Sequence, residues 1–439
     1  MAGGLEQRLR ADIAFLADDQ LEGRGTPSRG LDLAALYLAS QLQASGAPAA
    51  ISGSYLQRYS LGEYTPAEAD VTVRVNGKLI APSDYVFWNV AYDPGRGPIS
   101  LPLVYAGDGI VAEDKNVDDL SALDLAGKAV VAKRGAPWPL NPDDVFGPDR
   151  AMGKLIGATV RGAGMLVYLS DELDQGDEAE AHFFHEMKAA GVCFLREPKV
   201  THASGLNPVL VIRPAVFAQA MNKDIVQIEA GPLGAGIEVN IQAKVREGAA
   251  SNVLAKIEGS DPALRAEWVV LSAHYDHIGA HDVAAGEDGI WNGADDNASG
   301  TAAVLELARR LARNPGKRSV LILLTSGEDR GILGSAFYAA EPLIPMDRVA
   351  AQINLDMIGR SEGSVQAIAD GSTVLYDQTV RLGGSHGIEV IPDQQPTWRL
   401  VYLTDAYHFA RANVPYVFFF TGTHPDYHQP SDTADKVRY

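Results

Sequence analysis

From Ser251 to the carboxyl end, apolar runs of strand length alternate with segments of helical periodicity, and this alternation constrains the fold more than any other feature of the chain. The strand candidates are Trp268 to Ala273, Ser319 to Thr325, Ala351 to Leu355 and Pro415 to Phe420. The clearest helix runs from Ala298 to Arg313, where Val304, Leu307, Ala308 and Leu311 form an apolar stripe. Strands separated by helices predict an α/β architecture, a sheet covered by helices on both faces.

The remainder has a different texture. Leu5, Leu9, Ile13 and Leu16 share a helical face, and Leu31 to Leu42 repeats apolar residues at helical spacing, so two helices are expected around a Gly-Thr-Pro-Ser break. From about Tyr64 to Val245 short β-rich runs such as Val71-Thr-Val-Arg-Val and Met165-Leu-Val-Tyr-Leu are separated by Gly, Pro and Asp clusters. That stretch reads as a compact domain of mixed or mainly β character, and nothing in it reads as catalytic. At 439 residues the chain is long enough for two or three domains. The expected division is one domain from 1–63 and 246–439, interrupted by another from 64–245.

Composition narrows the function. With 56 acidic residues against 37 Lys plus Arg the formal charge is −19, which disfavours a nucleic-acid binder because phosphate neutralisation needs clustered cations. The single cysteine, Cys193, excludes an intrachain disulfide and any multi-cysteine zinc site, and reads as a buried structural thiol. No run approaches the ~18 apolar residues of a membrane span. The start, Met1-Ala-Gly-Gly, has no basic region followed by an apolar one, so no signal peptide is expected in this sequence.

Open α/β sheets place ligands at the carboxyl ends of their strands. The first strand here delivers His274-Tyr-Asp276-His277, the second Ser326-Gly-Glu328-Asp329, and the third Asp356-Met-Ile-Gly. Asn292-Gly-Ala-Asp295-Asp296-Asn297 precedes the long helix, and His424-Pro-Asp426-Tyr-His428-Gln-Pro-Ser-Asp-Thr follows the last strand. Each has an ordinary explanation taken alone: Asp295 and Asp296 as helix-capping acids, Glu328-Asp329 as a solvated loop, His274 as a core histidine. Together they do not, because acids aimed at one edge repel unless a cation stands among them. Zinc accepts imidazole nitrogen and carboxylate oxygen together, and a carboxylate can bridge two ions. Of the adjacent pair Glu328-Asp329, one would ligate and the other would serve as a general base.

In this order, His-x-Asp, Asp-Asp-Asn, Gly-Glu-Asp, Asn-Leu-Asp-Met and Tyr-His-Gln-Pro-Ser-Asp-Thr, the residues resemble the zinc-dependent exopeptidase family that includes bacterial co-catalytic aminopeptidases and glutamate carboxypeptidase. The likeness is dense from Ser251 to Val437 and includes Leu16-Ala-Asp-Asp-Gln-Leu-Glu-Gly-Arg near the start. The stretches at Leu125-Ala-Gly-Lys and Arg161-Gly-Ala-Gly-Met look like a protease-associated domain, more loosely. The resemblance implies a phosphorylase/hydrolase-like catalytic fold and two zinc ions per chain. His274, Asp356 and bridging Asp296 would hold one ion; Asp296, Asp329 and His428 would hold the other. It further implies Glu328 as general base and Asp276 as the carboxylate orienting the His274 imidazole. The implied activity is that of a metallo-exopeptidase, an aminopeptidase removing N-terminal residues from peptides, exported to the periplasm or medium.

Two departures from the family pattern stand out. Asp329 occupies a position where Glu is usual, and Leu403-Thr-Asp405-Ala406-Tyr407 replaces a common Arg-Ser-Asp-His-Tyr, leaving Asp405 and Tyr407 as supporting candidates. His277, His281, His408 and His424 flank the motifs and read as packing or surface residues; His182, His185 and His202 read as surface. Gly147 to Lys154 only superficially matches a phosphate loop, because Leu155 stands where Ser or Thr is needed. No Gly-x-Ser-x-Gly elbow occurs. Rival functions are a carboxypeptidase, for which Arg360 or Arg399 would supply the cation for a terminal carboxylate, a glutaminyl-cyclase-like acyltransferase with one zinc, and a receptor-type binding protein.

Overall fold

The computed structural model describes residues 2–65, 69–88, 92–112, 115–138, 147–173, 191–197, 207–369, 373–394 and 399–439. Its larger sheet is built from β1 (Leu56–Tyr64), β2 (Val192–Leu195), β3 (Arg246–Ile257), β4 (Trp268–His274), β5 (Ser319–Thr325), β6 (Val349–Leu355), β7 (Ser364–Ala369), β8 (Glu389–Ile391) and β9 (Tyr416–Phe420). The spatial order is β2-β1-β3-β5-β4-β6-β9-β7-β8. The centre is parallel: β4 pairs in parallel with β5 and β6, and β6 with β9. Antiparallel β3 and β1 extend one side, and β7 pairs antiparallel with β9 on the other.

Every residue of β5 is buried, as expected of a central strand covered on both faces, which is why it reads as an unbroken apolar run. Side chains alternate between the two faces. Val253, Ala255, Leu271, Ala273, Ile322 and Leu324 pack under the helices α1 (Ala2–Leu16), α2 (Arg29–Ser45) and α3 (Gly300–Arg313). Their neighbours Leu254, Val270, Leu321 and Leu323 face the other way, against Tyr338 of α4 (Leu333–Ala340) and Phe409 of α5 (Ala406–Arg411). The mixed sheet with helices on both faces is therefore the observed architecture.

Local signals account for the helix ends. Ser28 caps α2 by accepting from the backbone N–H of Leu31, and Gly46 closes it in the left-handed conformation, φ 83°. A buried ion pair ties α1 to α3: Arg309 donates through both Nη atoms to Asp12, at 2.6 and 3.1 Å, and the Tyr37 hydroxyl donates to the same carboxylate at 2.7 Å.

A second sheet, of eight strands, draws all of them from residues between Asp70 and Gln242. It mixes parallel and antiparallel pairs and carries the helices Ala151–Val160 and Pro214–Met221. The phosphate-loop lookalike lies here as a turn leading into the first of these helices, where buried Lys154 donates to the carbonyls of Lys133 and Gly135. Strand β2 comes from the same stretch of chain yet pairs with β1 in the larger sheet, Leu61 opposite Leu195. Among the described residues no helix is long and apolar enough to cross a membrane.

Candidate metal centre

The carboxyl ends of the parallel strands converge on one cluster. His274 is the last residue of β4, Glu328 and Asp329 follow β5, Asp356 follows β6, and His428 lies beyond β9. Asp296 comes from the turn before α3. That turn is irregular: Gly293 is left-handed at φ 58°, and Asp296 and Asn297 depart from helical angles. Asn297 steadies it by accepting from Gly300 and Met357 and donating to the Leu355 carbonyl.

The two adjacent aspartates part company there. Asp295 points away from the cluster, accepting from the Gly359 N–H at 2.6 Å and lying 3.1 Å from His424 Nε2. Asp296 points in, with Oδ1 3.2 Å from His274 Nε2 and Oδ2 3.3 Å from His428 Nε2. Asp432 holds the pair in register by accepting the backbone N–H of each. On the His274 side, Asp356 Oδ1 lies 3.3 Å from Nε2. On the His428 side, Asp329 Oδ1 lies 3.6 Å from Nε2. The five residues expected to ligate are thus brought together around Asp296.

Asp276 is fully buried, accepting from the Thr26 hydroxyl at 3.0 Å and the Glu328 N–H at 3.2 Å. Its Oδ1 lies 3.7 Å from His274 Nδ1, beside the ring but beyond hydrogen-bond length, and among the described residues Nδ1 has no hydrogen-bond partner. Glu328 offers a carboxylate oxygen within 4.8 Å of donor atoms on His274 and Asp329. His277, which the sequence reading assigned to packing or surface, is buried, with Nδ1 3.1 Å from Asp329 Oδ2 and 3.7 Å from Asp296 Oδ2. The signal available for it was its place three residues after His274 in a motif already marked as functional.

The electrostatics follow from this crowding. Burial opposes charge on His274, but Asp356, Asp276 and Asp296 outweigh it and hold the imidazole well above its ordinary value. Burial lifts Asp356 to about 6 against the attraction of His274. Burial also pushes the Glu328 carboxyl well above the usual range, opposed by His274 and reinforced by Asp329, Asp356 and Asp405. Asp296 goes the other way: burial is overcome by His277, His274 and His428, which keep it well below the usual carboxylate value. A cluster of carboxylates interleaved with imidazoles, largely shut off from water, fits a divalent cation that accepts both nitrogen and oxygen.

The surroundings are less available. Arg360 donates to Asp426 at 3.1 Å and to Asp432 at 3.0 Å, so its guanidinium is engaged inside the fold. Asp405 is buried and accepts from the Thr325 hydroxyl, while Tyr407 packs against Tyr402 and His408. His281 packs edge-on against Trp291, and His408 is buried. Cys193 is buried in β2. His182, His185 and His202 lie outside the described residues.

Comparison with known proteins finds partial matches. A probable zinc metalloprotease of Pyrenophora tritici-repentis (strain Pt-1C-BFP) is 34% identical over 151 residues, 31% of this chain and 30% of the relative. Leucine aminopeptidase 2 of Arthroderma otae (strain ATCC MYA-4605 / CBS 113480) is 28% identical over 196 residues, 42% of this chain and 36% of the relative. The chain thus spans about a third of the length of these curated relatives. The solved structure of an aminopeptidase from Aneurinibacillus sp. strain AM-1 covers 98% of this chain and 89% of its own, with a TM-score of 0.53 and 19% identity, a likeness of fold. Residues 252–439, which include every donor of the cluster, match the model of Peptidase family M28.

Proposed function

We propose that the protein is a metal-dependent exopeptidase, an aminopeptidase that hydrolyses N-terminal residues from peptides, with two zinc ions and Glu328 as general base. The observation that carries this reading is the two-sided placement of Asp296, one carboxylate oxygen toward His274 and the other toward His428. His274, Asp296 and Asp356 would hold one ion, and Asp296, Asp329 and His428 the other. Zinc and the aminopeptidase activity are suggested by the names of the relatives. When bound, such a pair supplies Lewis acidity toward a scissile carbonyl and brings the acidity of water near neutrality.

The chain's own residues do the rest. Glu328, whose carboxyl is lifted by burial, takes the proton of the attacking water and passes it to the leaving amine. The rise brings its proton affinity closer to neutral pH, where a group that must both accept and give a proton works best. Asp276, whose Oδ1 lies 3.7 Å from His274 Nδ1, would orient that ring by closing this gap, and the Glu328 N–H donated to Asp276 keeps the base on the same support. Tyr427 stacks on His428 at 3.9 Å between ring centroids and limits its swing.

The same reading assigns 64–245 to an inserted protease-associated-like domain. It is supported by the second sheet's strands, all drawn from that stretch. The carboxypeptidase alternative is weakened by Arg360, whose guanidinium is already engaged by Asp426 and Asp432.

The test is a panel of amino-acid p-nitroanilides and C-terminally free dipeptides, assayed with and without chelator, alongside Glu328→Gln. We expect chelator-sensitive release from free amino termini. The variant is expected to retain metal and lose at least about a hundredfold in turnover. Cleavage that survives chelation would remove the metal from the mechanism, activity confined to blocked amino termini would make the enzyme a carboxypeptidase, and a fully active Glu328→Gln would discard the assigned base.

A further inference from the structure

His428 and His277 come from different parts of the chain, yet each aims one ring nitrogen between the same two carboxylates. His428 Nε2 lies 3.3 Å from Asp296 and 3.6 Å from Asp329. His277 Nδ1 lies 3.7 Å from Asp296 and 3.1 Å from Asp329. His277, Asp296 and Asp329 each bring one donor atom within 4.8 Å of the others, a set able to hold a metal ion, and Asp329 turns Oδ2 toward His277 and Oδ1 toward His428. The rings meet edge to face, with centroids 5.8 Å apart, so neither blocks the other's approach.

The place for the His277 ring is built into the fold. Its backbone N–H donates to the Arg24 carbonyl, and a parallel bridge links it to Gly25. The ring lies against Gly293, where a Cβ would come within 2.5 Å of His277 Cγ, so only glycine leaves room for it. A protonated Nδ1 could serve one of the two carboxylates, whereas a cation satisfies both together with the two imidazoles.

We propose that His277, through Nδ1, is a fourth protein ligand of the ion held by Asp296, Asp329 and His428. This rests on the two-ion reading above. It makes the pair unequal: the second ion has a full set of four protein donors, while the first, with His274, Asp296 and Asp356, keeps an open position, the mark of a catalytic rather than a structural site.

The test uses the full chain, stripped and reloaded with Zn2+ or Co2+. Chelator-competition titration of wild type and His277→Ala should show two ions on the wild type, with one bound at least tenfold more weakly by the variant. The visible Co2+ spectrum of that ion should change with the loss of a nitrogen donor. X-ray absorption on the zinc-loaded wild type, which does not depend on a variant folding, should count three imidazoles over two ions. Two imidazoles over two ions, an unchanged affinity, or a weakened affinity with an unchanged Co2+ spectrum would each overturn ligation by His277. A wild type that binds a single ion would instead fail the two-ion reading itself.

Discussion

Arg24 donates from Nε to the backbone carbonyl of Tyr275 at 2.7 Å, deep beneath the metal cluster. The same guanidinium donates to the carbonyls of Leu16, Asn292 and Gly293, so a single buried cation ties the N-terminal loop to both segments flanking the site. Burial lowers its pKa to about 10, against the pull of Asp276, Asp296, Asp329 and Asp432, and it stays charged at neutral pH. Arg24→Met keeps the bulk and removes every donor. We expect a loss of about 3–5 kcal/mol in a denaturant titration, since several buried carbonyls lose their partners at once. A loss below about 1 kcal/mol would mean that the loop holds without it.

The Asp12–Arg309 pair makes a separate prediction about the helical layer. Asp12→Ala strands a buried guanidinium and should cost about 3–5 kcal/mol, whereas replacing both partners with apolar residues should cost much less. Denaturation midpoints of Asp12→Ala and of the double variant Asp12→Leu/Arg309→Met distinguish the two. Equal losses would show that the charge itself contributes little.

Metal removal should be visible in stability as well as in activity. A ligand that binds only the native state stabilises it by about 2.7 kcal/mol at a hundredfold excess over its Kd. Chelation should therefore lower the thermal midpoint by several degrees, and added Zn2+ should restore it. A midpoint indifferent to chelator would indicate that the acidic cluster tolerates its own repulsion.

Cys193 gives a prediction in which pH has a definite sign. Burial raises its thiol from an ordinary value of 9.0 to about 12, so the native state resists ionisation. The stability this provides is complete below about pH 8, where the unfolded thiol is also neutral, and is lost as pH climbs from 9 toward 12. A disulfide exchange reagent at pH 8 should leave the folded protein untouched and titrate one thiol after unfolding. Rapid labelling of the native protein would contradict its burial.

Much of the large sheet can be read directly from the chain, because a central parallel strand covered on both faces appears as a mainly apolar run. Ser319–Thr325 is the plainest case. The ligand candidates are legible for a related reason: polar residues following such runs are forced to the sheet's carboxyl edge. What escapes is orientation. Asp295 and Asp296 are indistinguishable as letters, and only the irregular turn at Gly293–Asn297 sends one inward and the other toward His424. His277 is obscured by its neighbours His274 and Asp276, whose proposed roles already account for the motif. Strand β2 carries no mark of its destination, since a short apolar run fits either sheet equally well.

That strand also bears on any attempt to shorten the protein. Because Val192–Leu195 shields the outer edge of β1 along Leu61–Tyr64, cutting out the whole middle stretch would bare a row of unpaired backbone groups at the end of the large sheet. A trimmed chain made that way would be prone to stick to its own copies along this edge, whereas one that kept a linker bearing Val192–Leu195 would stay capped.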